Sequence, residues 1–248
     1  MLPRSSQRYE THRDRVSIVR RLRRLVGFVL LVFLVYEATT TLLVQTVEQE
    51  SVAMQPTLAA GDRLFTLPPV YGPRVRLFGW IMPGFTSPSR GDLVTLRPGF
   101  VHELGFGGRL VDPVYRFVTL ANRRVGETYE WQSSLQIKRI VGLPGDTIRI
   151  ERFVAYVRPE GDREFVSEFT LSDREYEIQA GERPGDWQPM DPLGAATAEI
   201  ELGADEYFVL SDNRANGIDS RHWGAIGPDR IAARVSVRFW PISRFGRP

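Results

Sequence analysis

The chain has 248 residues, 42% hydrophobic and 25% charged, which is enough for one sizeable domain with appendages and argues against wholesale disorder. It contains no Cys, which excludes disulfides, Cys-ligated metals and a thiol nucleophile. Net charge is only +2, so a global electrostatic partnership with nucleic acid is not indicated.

The charge is unevenly placed. Residues 1–24 hold Arg4, Arg8, Arg13, Arg15, Arg20, Arg21, Arg23 and Arg24 against Glu10 and Asp14. This basic arm precedes Leu25–Val44, a largely apolar stretch of the length a bilayer-crossing helix needs, about 20 residues or 30 Å. The pairing predicts a membrane anchor with a cytoplasmic N-terminus and everything after about residue 48 outside the cytoplasm. Glu37 interrupts the span.

From residue 48 onward the pattern is short β-branched and aromatic runs separated by turns. Strands are expected at 62–67, 92–97, 136–141, 147–151, 153–157, 206–210 and 234–240. Gly61-Asp62, Gly91-Asp92 and Gly145-Asp146 each place a Gly-Asp step just before such a run. The expected class is mainly β: a transmembrane helix followed by antiparallel sheets folded as a partly open barrel. Residues 48–151 and 206–248 would form the main domain. The acidic, Pro/Gly-rich stretch 152–205 would form a small inserted subdomain. Residues 70–88, rich in aromatics, read either as a dip into the outer leaflet or as a core-covering loop. Asp112-Pro113 reads as the start of a short helix.

Of the 32 Lys and Arg residues, a single one, Lys138, is lysine. Arg stays charged at any ordinary pH, whereas a buried Lys can give up its proton. Lys138 lies in an apolar, strand-like run, Ile137-Lys138-Arg139-Ile140-Val141-Gly142, followed by the turn Leu143-Pro144-Gly145-Asp146. It is a candidate general base.

Four segments stand in order after the expected anchor: Glu50-Ser51-Val52-Ala53-Met54-Gln55-Pro56-Thr57-Leu58; Arg90-Gly91-Asp92-Leu93-Val94; Lys138 to Asp146; and Ser211-Asp212-Asn213-Arg214-Ala215-Asn216-Gly217-Ile218-Asp219-Ser220-Arg221-His222-Trp223-Gly224. Together they resemble the type I signal peptidases, membrane-anchored serine/lysine proteases. The resemblance implies a Ser nucleophile joined to Lys138 as general base. It implies Ser51 as an oxyanion-hole hydroxyl and Asp219 with Arg221 as a supporting ion pair. Asp212 and Asn213 would belong to the positioning turn. The implied partners are preprotein signal peptides and the lipid bilayer, with no cofactor, no metal and no nucleic acid, and the chain is taken as a monomer.

Two departures matter. The family's nucleophile immediately precedes Met54, and here that residue is Ala53. Gly217 stands where the family usually has a Ser whose hydroxyl orients the Lys. Three readings stay open at this point: a peptidase in which Ala has replaced the Ser, a non-catalytic protein that binds signal peptides or assists another peptidase, or a peptidase using Ser51 instead. Losing the nucleophile of a serine protease lowers turnover about a millionfold. If residues 51–53 are extended, Ser51 faces the same side as residue 53 but stands about 6–7 Å away.

Overall fold

The computed structural model describes residues 6–72, 74–75, 80–81, 83–97, 111, 114, 117, 135–181 and 197–248. Helix α1 runs Ser6–Leu42. Among the described residues no helix is long and apolar enough to cross a membrane. Among the described side chains of α1, Arg20, Arg21, Arg23 and Arg24 precede the apolar stretch, and the side chain of Glu37 lies outside those described. From Leu25 to Val35, large apolar side chains are exposed around the helix, among them Leu25, Phe28, Leu31 and Leu34.

After α1 come strands β1 (Gln45–Glu48), β2 (Arg63–Leu67), β3 (Arg74–Val75), β4 (Trp80–Ile81), β5 (Leu93–Leu96), β6 (Gln136–Gly142), β7 (Thr147–Glu151), β8 (Val154–Arg158), β9 (Val166–Ser167), β10 (Ile200–Glu201), β11 (Phe208–Leu210) and β12 (Ile231–Trp240). Two short helices, α2 (Glu168–Leu171) and α3 (Ser220–Trp223), punctuate them. The chain is mainly β, and every strand pairing among the described residues is antiparallel.

One sheet has six strands in the order β1-β2-β12-β5-β6-β11, and a second has four in the order β10-β7-β8-β9. These strands do not close into a barrel. β1 and β11 are the edges of the large sheet and do not pair with each other. The reason lies after β6, where the turn at Pro144-Gly145 carries the chain into β7 of the second sheet. The two sheets then share a core. Val141, Phe208 and Leu210 of the first pack with Ile148, Ile150, Ala155 and Val157 of the second.

The three Gly-Asp steps form one device used three times. In each, Gly holds a left-handed φ of 82–87° that L side chains rarely adopt. The following Asp carboxylate then accepts the backbone N–H three residues back: Asp62 from Ala59, Asp92 from Ser89 and Asp146 from Leu143, at 2.7–3.2 Å. Each turn feeds the next strand at a fixed angle. The reading of 70–88 falls partly outside the described residues, but Phe85 is exposed. Asp112 and Pro113 lie outside the described residues, and Val111, Val114 and Phe117 are helical.

Candidate active site

Lys138 sits in the middle of β6, between β5 and β11, opposite Val94. Every β6 residue after Gln136 is buried, because the strand has a packed layer on each face. Ile137 joins the core of Met54, Leu58, Leu64, Leu93 and Val235, while Ile140 joins that of Val94, Leu96 and Val209. Lys138 therefore has 4% of its surface exposed. What remains exposed opens on a cleft of about 280 Å³, whose walls include Gln49, Ser51, Ala53, Gln136, Lys138 and Ile218.

The segment carrying Ser51 and Ala53 is not extended. Val52–Met54 form a single 3-10 turn with Ser51 as its N-cap. The Ser51 Oγ turns back to accept the Ala53 N–H at 3.3 Å and Gln49 Nε2 at 3.2 Å, instead of standing one strand repeat away. Met54 and Leu58 are completely buried and pin the turn from below. Asn213 pins it from the side, its N–H donating to the Ala53 carbonyl at 2.9 Å and its Nδ2 to the Val52 carbonyl at 3.2 Å. Sequence reasoning placed Asn213 in a turn and did not foresee that it fastens the opposite wall of the cleft.

Burial pushes Lys138 down from 10.5 to about 8; the negative charge of Asp219 opposes the fall, Arg221 adds to it, and Asp212 opposes it more weakly. The Nζ donates a hydrogen bond to Ser211 Oγ at 2.8 Å. Asp219 and Arg221 form a two-pronged ion pair, Nε to Oδ1 and Nη2 to Oδ2, each 2.8 Å. Burial alone would raise the Asp219 carboxyl. The hydrogen bonds and charge of Arg221, the N–H of Ser211 and the charge of Lys138 outweigh it and hold the group below the ordinary carboxylate range. Asp212 belongs to a different pair: Arg139, next to the lysine, grips it with Nε at 2.7 Å and Nη2 at 2.6 Å. The Gly217 carbonyl accepts from Arg221 Nη2 at 3.2 Å.

Behind these groups lies a buried polar layer. Arg214 is wholly buried and clasps Glu168 of α2 with both terminal nitrogens, at 2.6 and 2.8 Å. Tyr176 donates to the same carboxylate at 2.7 Å and lies under the Arg139 guanidinium, 3.9 Å from ring centroid to carbon. The charged motif residues are thus paired and hydrogen-bonded inside, as buried charges must be. Among the described residues no cluster of acidic or imidazole groups could hold a metal ion.

Residues 22–240 match the family described as signal peptidase, peptidase S26. The chain belongs to that family. Among curated proteins, the signal peptidase, peptidase S26 chain is 34% identical over 110 residues to "Probable signal peptidase I-2" of Synechocystis, covering 44% of this chain and 40% of that protein. It is 33% identical over 109 residues to "Signal peptidase IB" of Staphylococcus aureus strain Mu50, covering 44% and 55%. The chain thus spans about half the length of these curated relatives. A crystal structure of a signal peptidase I from Enterococcus faecalis V583 aligns over 60% of this chain and 96% of that chain, at 19% identity and a TM-score of 0.30.

Within this peptidase S26 chain, three residues escaped the sequence reading. Ser211 opens the fourth motif but has no signal of its own. Arg139 could have been suspected, since an Arg beside a buried Lys needs an anion. Glu168 lies in an acidic stretch where no spacing marks it, and the buried Arg214 alone reveals it.

Proposed function

We propose that this chain is a signal peptidase of type I whose cleft receives the signal-peptide segment of exported preproteins, with Lys138 as the general base. The observation that carries the reading is that a buried, readily deprotonated Lys138 and the Ser51–Ala53 turn line the same cleft. A neutral amine is what this chemistry requires, and burial brings it within reach by lowering the midpoint to about 8. An extended peptide laid in the cleft would bring its carbonyl to the turn, where the Ser51 hydroxyl, turned off the Ala53 N–H that it now accepts, would join that N–H as an oxyanion donor.

Ala53 carries no nucleophilic atom, so the reaction lacks one oxygen at the place the family provides it. The chain as written should turn over slowly, and the remainder of the machinery awaits a hydroxyl. The exposed apolar ring of α1 and the arginines before it support a single-pass anchor in the cytoplasmic membrane, with the β domain on the outer face.

The test is cleavage of a preprotein by the full chain and by Ala53→Ser, both reconstituted in liposomes. Ala53→Ser should cut at the signal-peptide junction. A folded, membrane-bound Ala53→Ser protein that stays inert would refute the reading.

A further inference from the structure

The Lys138 ammonium has one hydrogen-bond acceptor among the described contacts, the Ser211 hydroxyl. Ser211 has no exposed surface, so no substrate reaches it. Its backbone is clamped on both sides. The N–H donates to Asp219 Oδ2 at 2.9 Å, and the carbonyl accepts from Arg214 Nε at 2.7 Å. The backbone that carries the hydroxyl is therefore fixed, and the side chain is enclosed against Lys138 and Gly217.

The space it occupies is made by a second residue. A Cβ built on Gly217 would fall on top of Ser211 Cβ and Oγ, far inside van der Waals distance. A side chain at 217 and the present side chain at 211 are mutually exclusive occupants of one volume beside Lys138. The departure at 217 is thus matched by a hydroxyl arriving from the other side of the same loop.

We propose that Ser211 is the positioning residue for Lys138, and that Gly217 is glycine because Ser211 fills its place. An amine that donates one N–H to a fixed oxygen is held at its end, which keeps the lysine side chain in one rotamer and biases rotation about Cε–Nζ. Its remaining tetrahedral directions, including the lone pair of the neutral form, are held toward the cleft. This rests on Lys138 acting as the base. The Ser211 contact itself is tested without any turnover.

The lone lysine makes that test direct. Full-length chain labelled with [13Cε]lysine and held in nonionic micelles gives one lysine resonance, because the sequence has one Lys. In the unaltered chain the two Hε protons should be inequivalent and titrate with a midpoint near 8. Ser211→Ala should merge the two Hε signals and lower the midpoint by about half a unit or more, because an acceptor for the charged form is gone. Gly217→Ser alone should lower the melting temperature through overlap with Ser211. The exchange Ser211→Gly with Gly217→Ser should restore the inequivalence, with Asn213 O, 2.9 Å from the new Cβ, as the remaining tight contact.

In the Ala53→Ser background, Ser211→Ala should lower kcat about a hundredfold with KM unchanged, and the exchange should recover most of it. A folded Ser211→Ala protein whose Lys138 signals keep their inequivalence and midpoint overturns the proposal. Undiminished cleavage by Ala53→Ser with Lys138→Met would instead remove the base reading, and leaves the resonance test to decide Ser211 on its own.

Discussion

A lysine held near 8 leaves a signature in stability as well as in rate. In an unfolded chain Lys138 keeps its proton up to about 10.5, and in the fold it loses it near 8. Below 8 both states are protonated, and the folded state carries the full cost of a buried ammonium. Between 8 and 10.5 the unfolded chain binds a proton that the folded chain does not, so stability rises with pH through that window. The difference of 2.5 units, at about 1.36 kcal/mol each, amounts to about 3 kcal/mol. Lys138→Met removes the titrating group while keeping the volume. It also leaves the Ser211 hydroxyl without its donor, but that loss is independent of pH and cancels in the comparison. Urea unfolding of both full chains in nonionic micelles from pH 7 to 10.5 measures the effect. The stability of the unaltered chain relative to Lys138→Met should rise by about 3 kcal/mol across the window. A gap constant to within about 0.5 kcal/mol would show that the lysine is not desolvated in the fold, and the argument for a ready base would fail with it.

Three further outcomes are expected. The kcat/KM of Ala53→Ser should climb about tenfold per pH unit below an apparent midpoint near 8 and then level, since only the neutral amine accepts a proton; a flat profile from pH 6 to 9 would contradict this. Adding Ser51→Ala to Ala53→Ser should lower kcat about a hundred- to a thousandfold by deleting an oxyanion donor, and an unchanged kcat would assign Ser51 to capping the turn alone. Glu168→Ala leaves the Arg214 guanidinium buried and unpaired, which costs about 3–5 kcal/mol in unfolding experiments; a loss under 1 kcal/mol would mean that water reaches the pair.

Strands β2, β5 and β7 were readable because each follows a Gly-Asp turn, and those turns have a local cause. Gly61, Gly91 and Gly145 need a conformation that glycine adopts freely, and the Asp that follows closes each loop within three residues. The register of β6, which buries Lys138 between two layers, was not readable, since it depends on partners 44 residues before (Val94) and about 70 after (Val209, Leu210). How far the large sheet closes on itself was hidden for the same reason. Whether a sheet closes or hands the chain to a second sheet is decided by pairings that no local pattern encodes. At the site, the lone Lys stood out through composition. The bent geometry of residues 51–54 did not, because nothing in Ser-Val-Ala marks a turn, and two bonds from the distant Asn213 hold it as one. Ser211 was hidden by its ordinariness: a serine before Asp-Asn-Arg gains meaning only once Gly217 is seen across the loop.

The clasp between Arg214 and Glu168 also bears on how this chain can change over evolutionary time. The arginine is carried by the loop that also carries Ser211, and the glutamate by the short helix α2, which lies between β9 and β10 of the small sheet. Neither residue can be lost alone, because each would strand its partner in a dry interior. A lineage that shortens the 166–176 segment must therefore replace Arg214 in the same step, or pass through a folding-defective intermediate. Length variation that leaves this anchor in place meets no such barrier. The small sheet is thereby tied to the fate of the loop whose Ser211 bonds Lys138.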